Sequence, residues 1–324
     1  MRIVVIGATG HVGGYLIPRL VGAGHEVLAM SRGLRSPYRQ DPAWQQVVRI
    51  TADREAEDAA GTFVGRIADL KADVVVDMVC FTAESARQLV EPLRRSGTTL
   101  LSCGSIWVHG PAVEVPVTED AARHSLGSYG IGKAAIEAVL HDESRNRGLR
   151  SVVLHPGHIS GPGWPVINPA GNLDLGVWQQ LAAGERVTLA NFGLETVHHV
   201  HADDVAQAFA LALDPPPSAI GESFHITSPR ALTLRGFAEA AARWFGKEAN
   251  LEFVPFEQFR QLTAAGHADV SFEHISRSPS MSIAKAAQIL GYEPRYTSLQ
   301  AVAEAVHWLR DAGQLVLTPG AGSH

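Results

Sequence analysis

The chain has 324 residues, enough at roughly 150 residues per domain for two domains or one large α/β unit. Apolar residues make up 46% and charged residues 19%, which excludes disorder. The 27 Lys plus Arg against 33 Asp plus Glu give a net charge of −6, which repels a nucleic-acid backbone and makes nucleic acid an unlikely partner. Cys80 and Cys103, the only two cysteines, cannot make a disulfide framework and suit a reducing compartment. Apolar runs such as 208–213 stop far short of the ~18 residues of a membrane span. The N-terminus enters a strand pattern without a signal segment, so a cytoplasmic protein with no membrane partner is expected.

Short β-branched runs at 3–6, 27–30, 47–50, 74–78, 98–102 and 151–154 alternate with helical patterns at 12–23, 63–70, 83–95 and 129–147. This alternation predicts a Rossmann-type, doubly wound parallel sheet of the α/β class, buried on both faces. After His155, Pro156, Gly157, Gly161, Pro162, Gly163, Pro165 and Pro169 crowd one stretch and forbid regular structure, marking a loop into a second lobe. Pro215-Pro216-Pro217 makes another break. Beyond it, helical patterns at 234–245, 283–290 and 299–311 outnumber strands. The expected division is a first domain over 1–160, with 198–227 returning to it. A smaller, mostly helical C-terminal lobe takes 161–197 and 228–315, followed by a flexible tail over 316–324.

Gly7-Ala8-Thr9-Gly10-His11-Val12-Gly13 follows the first strand and opens the first helix. Glycines at this spacing allow a sharp turn, close approach to a pyrophosphate at the helix N-terminus, and tight helix–strand packing. Gly7, Thr9, Gly10, His11, Val12 and Gly13 are therefore candidate dinucleotide contacts. The second strand ends without the acidic residue that would hold the ribose hydroxyls of NAD. Ser31-Arg32 stands there instead; a hydroxyl followed by a guanidinium suits a 2′-phosphate, so NADP(H) is favoured over NAD(H). Arg35 could share the role. Asp53, after the third strand, could bond the adenine amino group or cap a helix.

Tyr129-Gly130-Ile131-Gly132-Lys133 places a phenol and an ammonium four residues apart, on one helix face. A nearby cation lowers a tyrosine pKa from ~10, which would make Tyr129 an acid or base for a hydroxyl or carbonyl. Ser105, at the carboxyl end of the strand over 98–102, sits where ligands bind in such sheets. Ser105, Tyr129 and Lys133 are the candidate catalytic set, and 161–197 with 228–315 would form the substrate lobe. Phe81, Trp107, Trp164, Asn168, Trp178 and His199 are candidate substrate contacts, since aromatic and amide side chains suit a polyol or aromatic ligand. His199-x-His201-x-Asp203 copies part of a metal-hydrolase pattern, but the next ligand would have to be histidine and Asp204 stands there. No metal is expected, and Asp203 is read as the cap of a helix over 205–213.

On these motifs the chain resembles an extended short-chain dehydrogenase/reductase of the NAD-dependent epimerase/dehydratase family. His155-Pro156-Gly157-His158-Ile159-Ser160-Gly161-Pro162, His199-Val200-His201-Ala202-Asp203-Asp204 and Leu290-Gly291-Tyr292-Glu293-Pro294 extend the resemblance along the chain. It implies hydride transfer between a nicotinamide and a secondary alcohol or carbonyl of a small-molecule substrate, sugar-like or otherwise. Ser105, Tyr129 and Lys133 would then serve proton transfer, with Tyr129 and Lys133 also on the cofactor and Pro156, Gly157 and His158 on the nicotinamide. It further implies a homodimer through helices 83–95 and 129–147. Leu194-Glu195-Thr196-Val197-His198 lacks the arginine that clamps the diphosphate of nucleotide sugars in this family. Asp77-Met78-Val79-Cys80-Phe81-Thr82 is similar to an atypical branch that includes chloroplast stem-loop RNA-binding proteins. The alternative is thus a non-catalytic dinucleotide-binding protein engaging RNA or a protein partner. Ile106 and Trp107 after Ser105 replace the acidic pair of dehydratases.

Overall fold

A computed structural model describes residues 1–317; the expected tail from 318 onward lies outside the described residues. Seven parallel strands form the central sheet. Six of them are β1 (Arg2–Ile6), β2 (Glu26–Ser31), β3 (Val48–Thr51), β4 (Val74–Asp77), β5 (Thr99–Cys103) and β6 (Ser151–Pro156). The seventh, Glu222–Ile226, pairs with β6 and extends the six-stranded sheet predicted from the sequence. In space the order runs from this seventh strand through β6, β5, β4, β1 and β2 to β3. Strand order reverses at β1, which pairs with β2 on one side and β4 on the other, opening a ligand crevice at the strands' carboxyl ends.

The β-branched runs form strands because their side chains alternate between two cores. Ile3 and Val5 join Leu16, Ile17, Val205 and Phe209 on one face. Val4 and Ile6 join Phe63, Ile67, Leu89 and Ile136 on the other. The helices covering these faces include α1 (Gly13–Gly22), α2 (Arg54–Ala59), α3 (Phe63–Asp69), α4 (Ala83–Ser96) and α5 (Gly127–Arg147). Buried Arg54 ties α2 to the end of β4 through an ion pair with Asp77 and to α4 through a 3.0 Å bond to the Ser85 hydroxyl.

A further apolar cluster draws Trp178, Leu181, Leu189, Phe237, Val302 and Leu309 from the second lobe. Its helices include Leu175–Ala183, Leu234–Trp244, Phe256–Leu262, Ala265–Ile275 and Ser298–Asp311. A parallel pair, Arg186–Ala190 with Asn250–Val254, joins them.

Candidate active site

The glycine turn is built on contacts that only glycine allows. Gly7 adopts φ +87°, and an added Cβ on Gly13 would lie 1.9 Å from the Ala8 carbonyl oxygen. Gly7 and Ala8 both donate to the Met30 carbonyl at 3.0 Å, and Gly10 donates to the Gly7 carbonyl at 3.0 Å. α1 starts with no side-chain cap; its Gly14 and Tyr15 amides donate to the Gly10 and Val12 carbonyls at 3.1 and 3.0 Å, and the helix dipole at this end favours an anion. These features fit a dinucleotide pyrophosphate. Gly13→Ala should lower stability by about 1–3 kcal/mol by prising α1 from the turn and should abolish dinucleotide binding. Thermal melting and calorimetry check both.

Gly7, Gly10, His11, Val12 and Gly13 line a cleft of about 380 Å³, with Thr9 half-buried on the turn beside them. His11 stacks on Trp164 with ring centroids 5.6 Å apart, and its Nε2 lies 3.0 Å from the Pro162 carbonyl. Burial pushes its pKa down to about 4. Ser31 ends β2, where its hydroxyl accepts from the Gly33 amide at 3.3 Å. Arg32 and Arg35 are exposed on the loop beyond. Asp53 accepts from the Ala56 amide at 3.2 Å and caps α2, the second of its two expected roles.

The far part of the same cleft is lined by Ser105, Tyr129, Lys133 and the Pro156-Gly157-His158 segment. Tyr129 and Lys133 sit one turn apart on α5. The Lys133 ammonium donates to the Cys80 carbonyl at 2.9 Å and the Cys103 carbonyl at 2.7 Å, lying 5.7 Å from the centre of the Tyr129 ring. The expected lowering of the Tyr129 pKa does not occur in this state. Burial pushes it up to about 12, the Cys103 side chain adds to the rise, and the Ser105 hydroxyl opposes it. The Lys133 ammonium is committed to the two carbonyls. Ser105 is buried, and its hydroxyl accepts from the Trp107 amide at 3.2 Å.

Phe81, Trp107 and Trp164 line the cleft. Three other candidates do not reach it. Trp178 is wholly buried in the second lobe, stacked near Trp244 and edge-on to Phe237. Asn168, also buried, organises its own loop by donating to Asn172 and the Asp174 carbonyl and accepting from Ala170. His199 is buried, with Nε2 3.3 Å from the Ile167 carbonyl. Packing claims all three. The metal-like triplet also disperses, since His201 faces Glu304 while Asp203 pairs with Arg19 and Arg295. The cap of the helix Ala202–Leu211 is His201, which accepts from the Asp203 amide. Asp203 itself lies in the first turn, correcting its expected capping role.

Two groups that the sequence reading missed flank the cleft wall. The Arg277 guanidinium stacks 3.9 Å over Trp107 and pairs with Glu273 at 2.8 Å. The His274 ring lies 5.2 Å from Trp107 and 4.9 Å from His158. Burial pushes the His274 pKa down to about 4 and that of His158 well below its ordinary value, so both rings are neutral at neutral pH. The Trp107 indole N–H donates to His158 Nε2 at 3.4 Å.

A parallel sheet reversing at β1, a glycine turn at the reversal and a Tyr-Lys helix beside it define a dinucleotide-dependent enzyme class. The model of the NAD dependent epimerase/dehydratase family matches residues 3–226, and the chain belongs to that family. It is an NAD(P)-dependent enzyme of the epimerase and reductase type. It is similar to 2'-dehydrokanamycin reductase of Streptomyces kanamyceticus, 29% identical over 79% of this chain and 70% of that one. It is also similar to UDP-glucose 4-epimerase of Mycolicibacterium smegmatis, 24% identical over 97% and 100%. The 41 kDa chloroplast stem-loop binding protein b of Arabidopsis thaliana matches at 24% over 94% of this chain and 78% of its own. Among solved structures, UDP-glucose 4-epimerase of Thermotoga maritima superposes with TM-score 0.72 at 20% identity, covering 96% of this chain and 99% of that one.

Proposed function

We propose that the enzyme reduces a carbonyl, or epimerises a secondary alcohol through one, on a sugar-like small molecule, with NADP(H) as the preferred dinucleotide. The observation carrying this reading is that Ser105, Tyr129 and Lys133 share one cleft with the glycine turn. A nicotinamide dinucleotide, when bound, supplies the hydride-carrying ring. Tyr129, a phenol that is neutral at neutral pH and whose pKa desolvation pushes further up to about 12, is in the form that donates a proton to a carbonyl oxygen. The Ser105 hydroxyl orients that oxygen. Lys133 holds the Cys80 and Cys103 carbonyls in place, and its charge favours the phenolate left after transfer. Phe81, Trp107 and Trp164 offer apolar faces suited to a sugar ring. The names of the relatives, a UDP-glucose 4-epimerase and a 2'-dehydrokanamycin reductase, support a sugar-like substrate. α4 and α5 lie side by side and would form the homodimer face, with Ile131 exposed on α5.

NADPH consumption across a panel of keto-sugars and keto-aminoglycosides tests this function. Interconversion of the epimeric alcohols with catalytic NADP(H) is measured beside it; turnover in one of the two assays is expected, and none in either overturns the proposal. Arg32→Ala should weaken NADPH binding about 10–100-fold, the loss of one charge-assisted contact, and leave NADH binding as it was. Equal calorimetric affinities of wild type and variant for NADPH contradict the assigned 2′-phosphate role.

A further inference from the structure

We propose that Glu137 and His155 are positioning residues that fix Ser105 through its backbone. The inference rests on Ser105 being the hydroxyl that orients the substrate oxygen.

Glu137 follows Tyr129 and Lys133 on the same face of α5, at a further four-residue step. Lys133 acts directly, and Glu137 through His155, on the strand ends that build the cleft. Lys133 takes the Cys103 carbonyl at 2.7 Å. The Gly104 amide donates to the Leu154 carbonyl at 2.7 Å. The Ser105 amide donates to His155 Nδ1 at 2.8 Å. Three consecutive residues are thus strapped to β6 and α5. The approach is so close that a Cβ on Gly104 would lie 2.1 Å from His155 Nδ1.

His155 is wholly buried, and its two bonds fix its tautomer. Nδ1 accepts from the Ser105 amide and so carries no proton; the proton lies on Nε2 and is donated to Glu137 Oε1 at 2.9 Å. Glu137 is held in turn by Arg123, at 2.9 Å to Oε2 and 2.7 Å to Oε1, and by the Ser223 hydroxyl at 2.6 Å. Burial works to raise the Glu137 pKa, but the Arg123 and His155 hydrogen bonds hold it well below the usual carboxylate range. The carboxylate therefore stays charged, locks the imidazole tautomer and keeps its acceptor aimed at Ser105. No proton moves through the couple; its effect is on the aim of the Ser105 hydroxyl.

The test combines nuclear magnetic resonance with turnover on the keto-sugar and keto-aminoglycoside panel, using wild type, Ser105→Ala, His155→Phe and His155→Gln. A through-hydrogen-bond coupling between the Ser105 amide nitrogen and His155 Nδ1 is expected in the wild type. His155→Phe should lower kcat about 100-fold, the cost of a roughly 1 Å misplacement, with the NADPH Kd unchanged. His155→Gln retains an acceptor and a donor and should recover most of the loss, which also separates positioning from misfolding. A protonated Nδ1, or no coupling, overturns the inference. Impaired Ser105→Ala beside unimpaired His155→Phe overturns it while leaving the proposed function standing. Unimpaired Ser105→Ala overturns both the inference and the role given to Ser105.

Discussion

Replacing Tyr129 by phenylalanine is expected to lower turnover about 10²–10⁴-fold, the range that a positioned general acid supplies, with the dinucleotide Kd at its wild-type value. The two functions of the cleft lie at opposite ends of it. The glycine turn and the uncapped start of α1 meet the pyrophosphate end, where Tyr129 makes no contact with the turn's hydrogen bonds. The phenol sits at the other end with Ser105, its edge packed against Trp107 at 5.8 Å between centroids. Phenylalanine keeps that packing and removes only the proton. Steady-state kinetics with calorimetry in parallel gives the answer, and wild-type turnover by the variant would remove Tyr129 from the chemistry.

Acidification is expected to destabilise the fold steeply between about pH 6.5 and pH 4. Burial depresses the pKa values of His11, His198 and His274 to about 4 and of His109 and His199 to about 3, from an ordinary 6.5. The unfolded chain then binds protons near pH 6.5 that the folded chain refuses, so stability is complete above that pH and lost as pH falls toward the folded values. His198 gives the structural reason. Its Nδ1 accepts from the Met281 amide at 3.0 Å, and protonation turns that acceptor into a donor facing a donor. Asp204 acts in the opposite direction: burial raises its pKa to about 6, so its contribution is present at low pH and lost as pH rises through 6. Burial raises the Glu119 pKa as well, and these two carboxyls offset only part of the imidazoles' effect. At about 1.4 kcal/mol per pKa unit, the loss by pH 5 should be on the order of several kcal/mol. Urea unfolding midpoints at pH 7 and pH 5 measure it, and equal midpoints contradict it.

What the sequence made legible were features whose cause is local. β1, the glycine turn and α1 follow from a β-branched run, spaced glycines and an apolar helical period, and the structure builds them where those signals lie. The strand Glu222–Ile226 escaped because it carries Glu222, Ser223 and His225 among its five residues. It is stable because distant groups satisfy them. Glu137 accepts from the Ser223 hydroxyl, and Glu119 accepts from the His225 amide.

The site divides the same way. Residue types at strand ends and on one helix face singled out Ser105, Tyr129 and Lys133, but the Tyr129 pKa depends on its desolvation and its Cys103 and Ser105 neighbours, which spacing does not reveal. Trp178 in a Pro/Gly-rich stretch reads equally as ligand contact or packing, and only the neighbouring rings of Phe237 and Trp244 decide it. Arg277 and His274 come from a helix, Ala265–Ile275, and the residues just after it, far in sequence from the Trp107 they flank. A mixed run such as Gly266-His267-Ala268-Asp269 carries no strong helical period, so nothing local announced them.

Label transfer from NADPH deuterated at the nicotinamide C4 tests the central claim most directly, with the wild-type enzyme and the keto-sugar and keto-aminoglycoside panel analysed by mass spectrometry. The expected result is deuterium on the former carbonyl carbon of a product alcohol, at a rate that Tyr129→Phe suppresses. Binding of the dinucleotide with no label reaching any carbonyl and no interconversion of epimeric alcohols would contradict the account.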